Sequence, residues 1–288
     1  MKDGTFMQAC VKAIKQKTFY TQYWKTFEVV RADTEEQKRK AFRLRYKVFG
    51  VENGFVDPKA YPDGLERDQF DDHAIQFLLM HKKSGEIAGT LRLVLPRGKE
   101  PLISFDLQKQ CDHPLLQIEN RAMGLCEISR FCMAPRFRQR DRDGRMLPAY
   151  YEQEEASASN QARPTPFFQR RIPFAPLGLM TAAFEAALSE NITDCITAYE
   201  VDQLYTLNRL GIDYRVLGPR LQNLGETQPL VFNIHTALNN MGEINPECFE
   251  IASNRGQLLA RANTLFRHDW QDEVMGGTCR EKILEKLM

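Results

Sequence analysis

The sequence lacks several features that would assign it to a membrane, secreted or nucleic-acid-binding class. It has no long apolar run, and its lysine-containing amino terminus has no apolar core of a signal peptide. Its seven cysteines include no C-x-x-C pair, and an odd number is typical of reduced thiols. The net charge of +1 gives no general attraction for nucleic acid. We therefore expect a cytoplasmic protein without a nucleic-acid partner.

The composition present is that of a globular protein with an ample core. Hydrophobic residues make up 43% of the 288 positions and aromatic residues 10%. The pattern along the chain predicts three parts: an amino-terminal helix over 1–25, a main domain over 26–245 and a helical extension over 246–288. A polar insertion at about 136–173 interrupts the main domain.

The segment 125–133 predicts a strand in the middle of a sheet, because it is apolar on both faces. It nevertheless contains Glu127, Ser129 and Arg130. Simple alternation places Glu127 and Ser129 on one face and Arg130 on the other, unless a bulge re-aims one of them. Buried charges must be paired or must face a cleft, so the strand predicts either a structural ion pair or a functional site.

A helix is predicted from the N-cap Thr34 to about Phe49. Its apolar stripe consists of Ala41, Leu44, Val48 and Phe49. Arg45 lies inside this stripe, so we expect it to point inward and to meet an anionic group. The alternative is an arginine at the edge of the stripe whose head reaches water.

Acidic residues are concentrated just before the strand predicted at 74–81, at Glu66, Asp68, Asp71 and Asp72. Their spacing differs from that of calcium loops, so we expect no metal. They are better suited to binding a substrate ammonium group or an arginine. One candidate is Arg92, a lone charge in the strand predicted at 87–95.

The order of elements indicates an α/β or α+β protein with a mixed sheet and helices on both faces. Later strands are predicted at about 194–198, 214–217 and 229–233, and later helices from about Pro176, at 202–210, 247–268 and 279–287.

Five motifs in order resemble the acyl-homoserine-lactone synthase family, which belongs to the GNAT acyltransferase superfamily. They are Arg45-x-x-x-Phe49, Phe55, Glu66-x-Asp68-x-x-Asp71, Gly89-Thr-Leu-Arg92-Leu93 and Glu127-x-Ser129-Arg130-Phe131. The resemblance covers about 26–235. It implies a GNAT-like sheet in which two parallel strands, here 125–133 and 193–199, splay apart to admit the acyl carbonyl.

The chain departs from that family at Phe55, where quorum-signal synthases usually have Trp, and in its long insertion and its helical tail. These departures look more like the relatives that make long-chain N-acyl amino acids and the bacterial acyltransferases associated with exosortase systems. The resemblance thus implies transfer of a fatty acyl group to the amine of an amino acid or a similar small molecule. Alternatives are signal synthesis from S-adenosylmethionine and a non-catalytic lipid- or partner-binding role on the same fold.

Site roles follow from the resemblance. Glu127, Glu66 and Ser129 become the catalytic candidates, with Glu127 the first choice as general base and Glu66 the second. The substrate-binding candidates are Arg45, Phe49, Phe55, Asp68, Asp71, Arg92, Arg130 and Phe131. The arginines either bind a substrate carboxylate or pair with the acidic residues, and the sequence leaves both roles open.

The donor is predicted from a missing motif. GNAT enzymes that use CoA resemble one another in a glycine-rich turn, R-x-x-G-x-G/A, after this strand, and the turn is absent here. Arginines follow instead, at Arg136, Arg138, Arg140, Arg142 and Arg145. They suit the acidic face of acyl carrier protein, although a solvated basic loop has the same composition. We expect acyl-phosphopantetheine as donor, no permanently bound cofactor, and peripheral membrane contact during release of a lipid product.

Overall fold

The computed structural model describes residues 19–138, 149–152 and 170–265. Its strands β1 to β10 cover Phe27–Arg31, Ala74–His81, Glu86–Val94, Leu125–Met133, Ala149–Glu152, Arg170–Pro173, Asp194–Glu200, Arg215–Val216, Leu221–Asn223 and Gly225–Asn233. Its helices α1 to α10 cover 19–26, Glu35–Arg45, Leu107–Gln110, Pro114–Gln117, Glu119–Ala122, Leu177–Ser189, Leu204–Leu210, Ile234–Ile244, Pro246–Ala252 and Gln257–Leu265.

The main sheet has the order β1-β2-β3-β4-β7-β10-β8, with β9 paired to β10, while β5 and β6 form a separate pair. Alternation along β2 separates the two faces. Phe77 and Leu79 pack with α1, α6 and α8–α10, whereas Leu78 packs against α2. The predicted mixed sheet with helices on both faces is confirmed.

The strands β4 and β7 are parallel and stay in register over only three pairs. These pairs are Leu125–Asp194, Cys126–Cys195 and Glu127–Ile196. Beyond Glu127 the two strands diverge, and each continues for several residues. The predicted splayed pair is therefore present, and it opens directly after Glu127.

A bulge interrupts the antiparallel pairing of β3 with β4. Thr90 pairs with Cys132 and Arg92 with Ser129, so Arg130 and Phe131 together lie opposite Leu91. Arg130 has φ 52°, a conformation that non-glycine residues rarely adopt. The extra residue of the bulge shifts the alternation of side chains, so the residues after Ser129 point to the faces opposite to those that strict alternation would give. Arg130 therefore lies on the same face as Ser129, and strict alternation does not hold here.

Helix α2 begins as predicted, with a capping box in which Thr34 accepts from the Gln37 backbone N–H at 3.2 Å. The helix predicted to about Phe49 extends to Glu52, but only its first part is an α-helix, which ends at Arg45 and continues as a π-helix, Tyr46–Glu52. Such wide turns occur often at functional sites. Arg45 points inward and is fully buried.

The carboxyl-terminal helices share the core of the sheet. Cys248, Ile251 and Leu258 are buried in the same cluster as α6. The single helix predicted at 247–268 is instead α9 and α10, because a turn with positive φ at Asn254 and Arg255 separates them. The helix predicted at 279–287 and residues 1–18 lie outside the described residues.

None of the helices in the described ranges combines the length and the apolar character needed to cross a membrane.

Candidate functional site

A cluster of buried charges lies between α2 and the sheet. Arg45 donates from Nη1 and Nη2 to the two oxygens of Asp71, at 2.8 and 2.9 Å, and its Nε donates to Glu66. Arg45 and Glu66 are both fully buried. The inward arginine predicted from the stripe of α2 therefore meets two carboxylates.

Two further arginines complete the cluster from the sheet. Arg92 donates from Nη1 to Asp68 at 2.6 Å, and its Nε donates to Ser129 at 3.0 Å. Arg130 donates to Glu66 at 2.9 Å and to Asp68 at 2.8 Å. The cluster thus contains three guanidinium groups and three carboxylates, and its formal charges cancel.

Pairing lowers the pKa of two of these carboxylates, Asp68 and Asp71. Burial alone raises the pKa of Asp71, but the charge and hydrogen bonds of Arg45 outweigh it and hold that pKa well below its usual range. The pKa of Asp68 is likewise lowered, because Arg92 and Arg130 outweigh its burial. By its geometry the cluster is a set of ion pairs.

Above this cluster a cavity of about 980 Å³ passes through the sheet. Its walls include β4 from Glu127 to Met133 and β7 from Thr197 to Glu200, the stretches where these strands have separated. The cavity therefore fills the gap of the splayed pair and reaches both faces.

Glu127 lies on the cavity wall at the point of divergence. It is 2% exposed, and its Oε2 accepts from the Leu107 backbone N–H at 3.3 Å. Burial raises the pKa of the Glu127 carboxyl, and the nearby Arg92 charge only partly opposes the rise. Among the described residues, no arginine, lysine or histidine forms an ion pair with Glu127, so its carboxyl group faces the cavity without a salt-bridge partner from this part of the chain.

The predicted residues divide between the cavity and the cluster. The cavity wall includes Glu127, Ser129, Phe49, Phe55, Arg130 and Phe131. The cluster beside it holds Glu66, Arg45, Asp68, Asp71 and Arg92, which are not among the residues of the wall, and Arg130 belongs to both. The structure pairs the arginines with acidic residues, the second of the two roles that the sequence left open.

Phe55 packs at the edge of the cavity against a glycine of β10. A Cβ at Gly225 would lie 3.0 Å from the ring of Phe55, and Gly225 has φ +84°. Both the close approach and the left-handed conformation favour glycine at this position.

The basic residues after β4 are partly described. Arg136 donates to Glu86 at 2.5 Å, and Arg138 pairs with Glu52 and lies on the cavity wall. Arg140, Arg142 and Arg145 lie outside the described residues.

Several residues of the cavity wall were not among the predicted site residues. Asp106 and Gln110 line the polar end of the cavity near Glu127, and the Gln110 amide donates to Asp106 at 2.7 Å. Met180, Phe184, Tyr199, Thr206, Leu207 and Phe232 line its other parts. The periodicity of the apolar residues predicted only that they are buried, because a residue that faces a cavity and a residue that faces the core show the same sequence pattern.

The chain matches the sequence profile of the acetyltransferase (GNAT) domain over residues 44–147. This stretch begins at the end of α2 and contains the π-helix, the acidic segment and β2 to β4. Comparison with curated protein sequences finds no significant relative.

Solved structures are similar at low identity. TofI in a ternary complex with an inhibitor and MTA gives a TM-score of 0.50 at 18% identity, over 77% of this chain and 99% of TofI. FeeM, an N-acyl amino acid synthase from uncultured soil microbes, gives a TM-score of 0.46 at 14% identity, over 74% of this chain and 93% of FeeM. BjaI, a CoA-dependent acyl-homoserine lactone synthase, in its structure with MTA gives a TM-score of 0.45 at 19% identity, over 83% of this chain and 99% of BjaI. The profile match and the likeness to TofI confirm the predicted fold.

Proposed function

Because the chain contains a GNAT acyltransferase domain, we propose that it is an N-acyltransferase that moves a long-chain fatty acyl group from acyl carrier protein to an amine. The amine belongs to an amino acid or a similar small molecule.

The cavity through the splayed strands is the observation that carries this proposal. An acyl transfer needs the thioester and the amine to meet in one place, with a base for the amine proton and donors for the developing oxyanion. The gap after the Glu127–Ile196 pair brings a buried carboxylate to an edge of β4 beside which no strand of the described residues lies. Backbone N–H groups along that edge are the candidates for the oxyanion donors.

The two ends of the cavity suit the two substrates. On the α6 face its wall is apolar, with Met180, Phe184 and Phe232 among its residues, which suits a fatty acyl chain. On the α2 face Glu127, Asp106 and Gln110 suit a small polar acceptor. The thioester carbon then lies in the gap between them.

In the reaction the neutral amine nitrogen attacks the thioester carbonyl, and a C–N bond forms as the C–S bond breaks. The amine proton passes to Glu127, directly or through one water, and the sulfur leaves as the thiolate of the carrier arm, which takes up a proton as Glu127 returns to its carboxylate form. Glu127 is favoured over Glu66 because Glu66 is held by Arg45 and Arg130 away from the cavity wall. The raised pKa of Glu127 makes it a stronger base than an ordinary glutamate.

The base is tested by Glu127→Gln with acylated carrier protein and a mixture of amino acids. We expect turnover to fall about 10²-fold or more with folding intact by circular dichroism. The acid limb of kcat/KM in the parent protein should lie above the usual pKa of glutamate and should disappear in the variant. Glu119→Gln, at an exposed residue of α5, is the matched control and should keep full activity. Near-normal turnover in Glu127→Gln would contradict this role.

The product is tested by mass spectrometry of lipids extracted from cells that overproduce the parent protein or Glu127→Gln. We expect N-acyl amines that depend on Glu127, and their masses give the head group and the chain length. A homoserine lactone head group would instead favour synthesis from S-adenosylmethionine. The absence of any new N-acyl amine would favour a non-catalytic binding role.

A further inference from the structure

The outer surface of α2 carries a line of basic side chains. Arg39, Arg43 and Lys47 follow one another at intervals of four residues and therefore lie along one side of the helix and its π-helical continuation. All three are exposed. We call these three residues the α2 stripe. With a rise of 1.5 Å per residue, it is about 12 Å long.

The α2 stripe differs from the neighbouring basic residues in having no carboxylate partner within the described part of the chain. Lys38 pairs with Glu35 at 3.1 Å, and Lys40 pairs with Glu36 at 2.8 Å. An arginine or lysine without an intramolecular partner binds an external anion without first breaking an ion pair.

The basic residues of the loop after β4 also differ from the α2 stripe in having carboxylate partners. Arg136 and Arg138, which the sequence favoured for carrier binding, are paired with Glu86 and Glu52. Their charges are locally neutralised, so the positive potential on this side of the molecule extends along α2.

The α2 stripe ends at the opening of the cavity. Glu52 and Asn53, at the end of the π-helix, are exposed and also line the cavity. Beside them, Val51 is 64% exposed. A partner that lies along the stripe therefore ends against an apolar side chain at the cavity entrance.

We propose that the α2 stripe, together with Val51, is the surface on which the acidic acyl carrier protein docks. This inference rests on the proposed function and names the surface for its donor. Opposite charges steer the encounter, and Val51 adds an apolar contact where the acylated arm enters. Arg136 and Arg138 then stabilise the rim of the opening.

The test compares two double variants with equal changes of charge. Arg43→Glu with Lys47→Glu alters the α2 stripe. Lys25→Glu with Lys99→Glu is the control, since both lysines are exposed and neither lies on α2 or on the cavity wall. Each is assayed with acyl carrier protein, acyl-CoA and a short acyl-pantetheine thioester, at low and high ionic strength.

We expect the stripe variant to lower kcat/KM for the acylated carrier about tenfold or more at low ionic strength, with kcat little changed. The difference should narrow at high ionic strength because salt screens exposed charges. Rates with the short thioester should stay within about twofold, and the control variant should match the parent protein.

Three outcomes would overturn the docking surface while leaving the carrier as donor. They are an unchanged carrier-dependent rate in the stripe variant, an equal loss in the control variant, and an equal loss with the short thioester. An equal loss with acyl-CoA would assign the stripe to a nucleotide phosphate and would overturn the inference. If the parent protein makes product from no carrier-bound acyl group, the proposed donor itself fails.

Discussion

Six charged side chains form the cluster beside the cavity, four of them buried and two partly exposed, and each meets an opposite charge. Arg45 also lies over the ring of Phe42, 5.0 Å from its centroid. Removing one member would leave a buried charge without its partner, which typically costs about 3–5 kcal/mol. Because these arginines are paired with carboxylates, the cluster holds the segment that carries Glu66, Asp68 and Asp71 in place on the sheet.

Asp194 offers a prediction about pH at the scale of one residue. It is buried at the start of β7 and accepts from the side chains of Asn233 and Thr193, at 3.0 and 2.9 Å. Burial raises its pKa to about 6 despite these hydrogen bonds. The folded protein therefore binds this proton more tightly than the unfolded chain, so the contribution to stability is present below the ordinary pKa of aspartate and is lost as pH rises through about 6.

We expect Asp194→Asn to remove that loss. The variant should match the parent protein in unfolding free energy near pH 4 and should exceed it by roughly 2–3 kcal/mol at pH 8. Urea unfolding across this range measures the difference between the two proteins, in which the other carboxylates cancel. A difference that is constant with pH would show that Asp194 titrates normally in the folded protein.

At the scale of elements, the meeting of β3 and β4 shapes the cavity. The bulge at Arg130 directs that side chain to the carboxylates, while Phe131 packs toward the α6 face. Gly89 in β3 lies directly opposite Met133. A Cβ at this position would overlap the Met133 sulfur and would approach the Cys132 carbonyl oxygen to 3.0 Å.

Gly89→Ala should therefore destabilise the protein by about 1–3 kcal/mol, because backbone as well as side chains must shift. It should also lower acyl transfer, since Cys132 and Met133 line the cavity. Gly98→Ala is the control, because a Cβ there meets nothing within 4 Å. Thermal unfolding of both variants measures the effect, and equal stability of the two would show that β3 and β4 separate without cost.

At the scale of the whole molecule, the carboxyl-terminal helices belong to the central core. Ile251 is fully buried in the cluster that contains α6 and the sheet, and the Thr181 hydroxyl of α6 donates to its carbonyl oxygen at 3.0 Å. The predicted boundary at 246 separates segments of sequence that pack together. We therefore expect residues 246–265 and the sheet to unfold in one cooperative transition.

Ile251→Ala should lower the midpoint of that transition, with a loss of about 2–5 kcal/mol for a buried side chain. Glu243→Ala, at an exposed residue of α8, should stay within about 0.5 kcal/mol of the parent protein. Calorimetry distinguishes the alternatives. A second, separate transition that alone responds to Ile251→Ala would make the helices an independent unit.

The sequence alone determined those features that depend on a few neighbouring residues. The strand from Leu125 to Met133 and the N-cap at Thr34 were predicted at their observed positions, because alternation and capping act over a few residues. Arg45 was predicted to turn inward because helical periodicity places it within an apolar stripe. The order of five motifs was enough to predict the acyltransferase fold.

Only the tertiary structure decided how these residues combine. The arginines could bind a substrate or pair with Glu66, Asp68 and Asp71. They pair, because the fold brings the acidic segment against the sheet, although the two are many residues apart along the chain. The bulge at Arg130 depends on its pairing with β3, and its own sequence did not disclose it. Asp106 lies near Glu127 because packing brings together segments about twenty residues apart in the sequence. Sequence patterns indicate which residues are buried, but they do not indicate which residues contact each other.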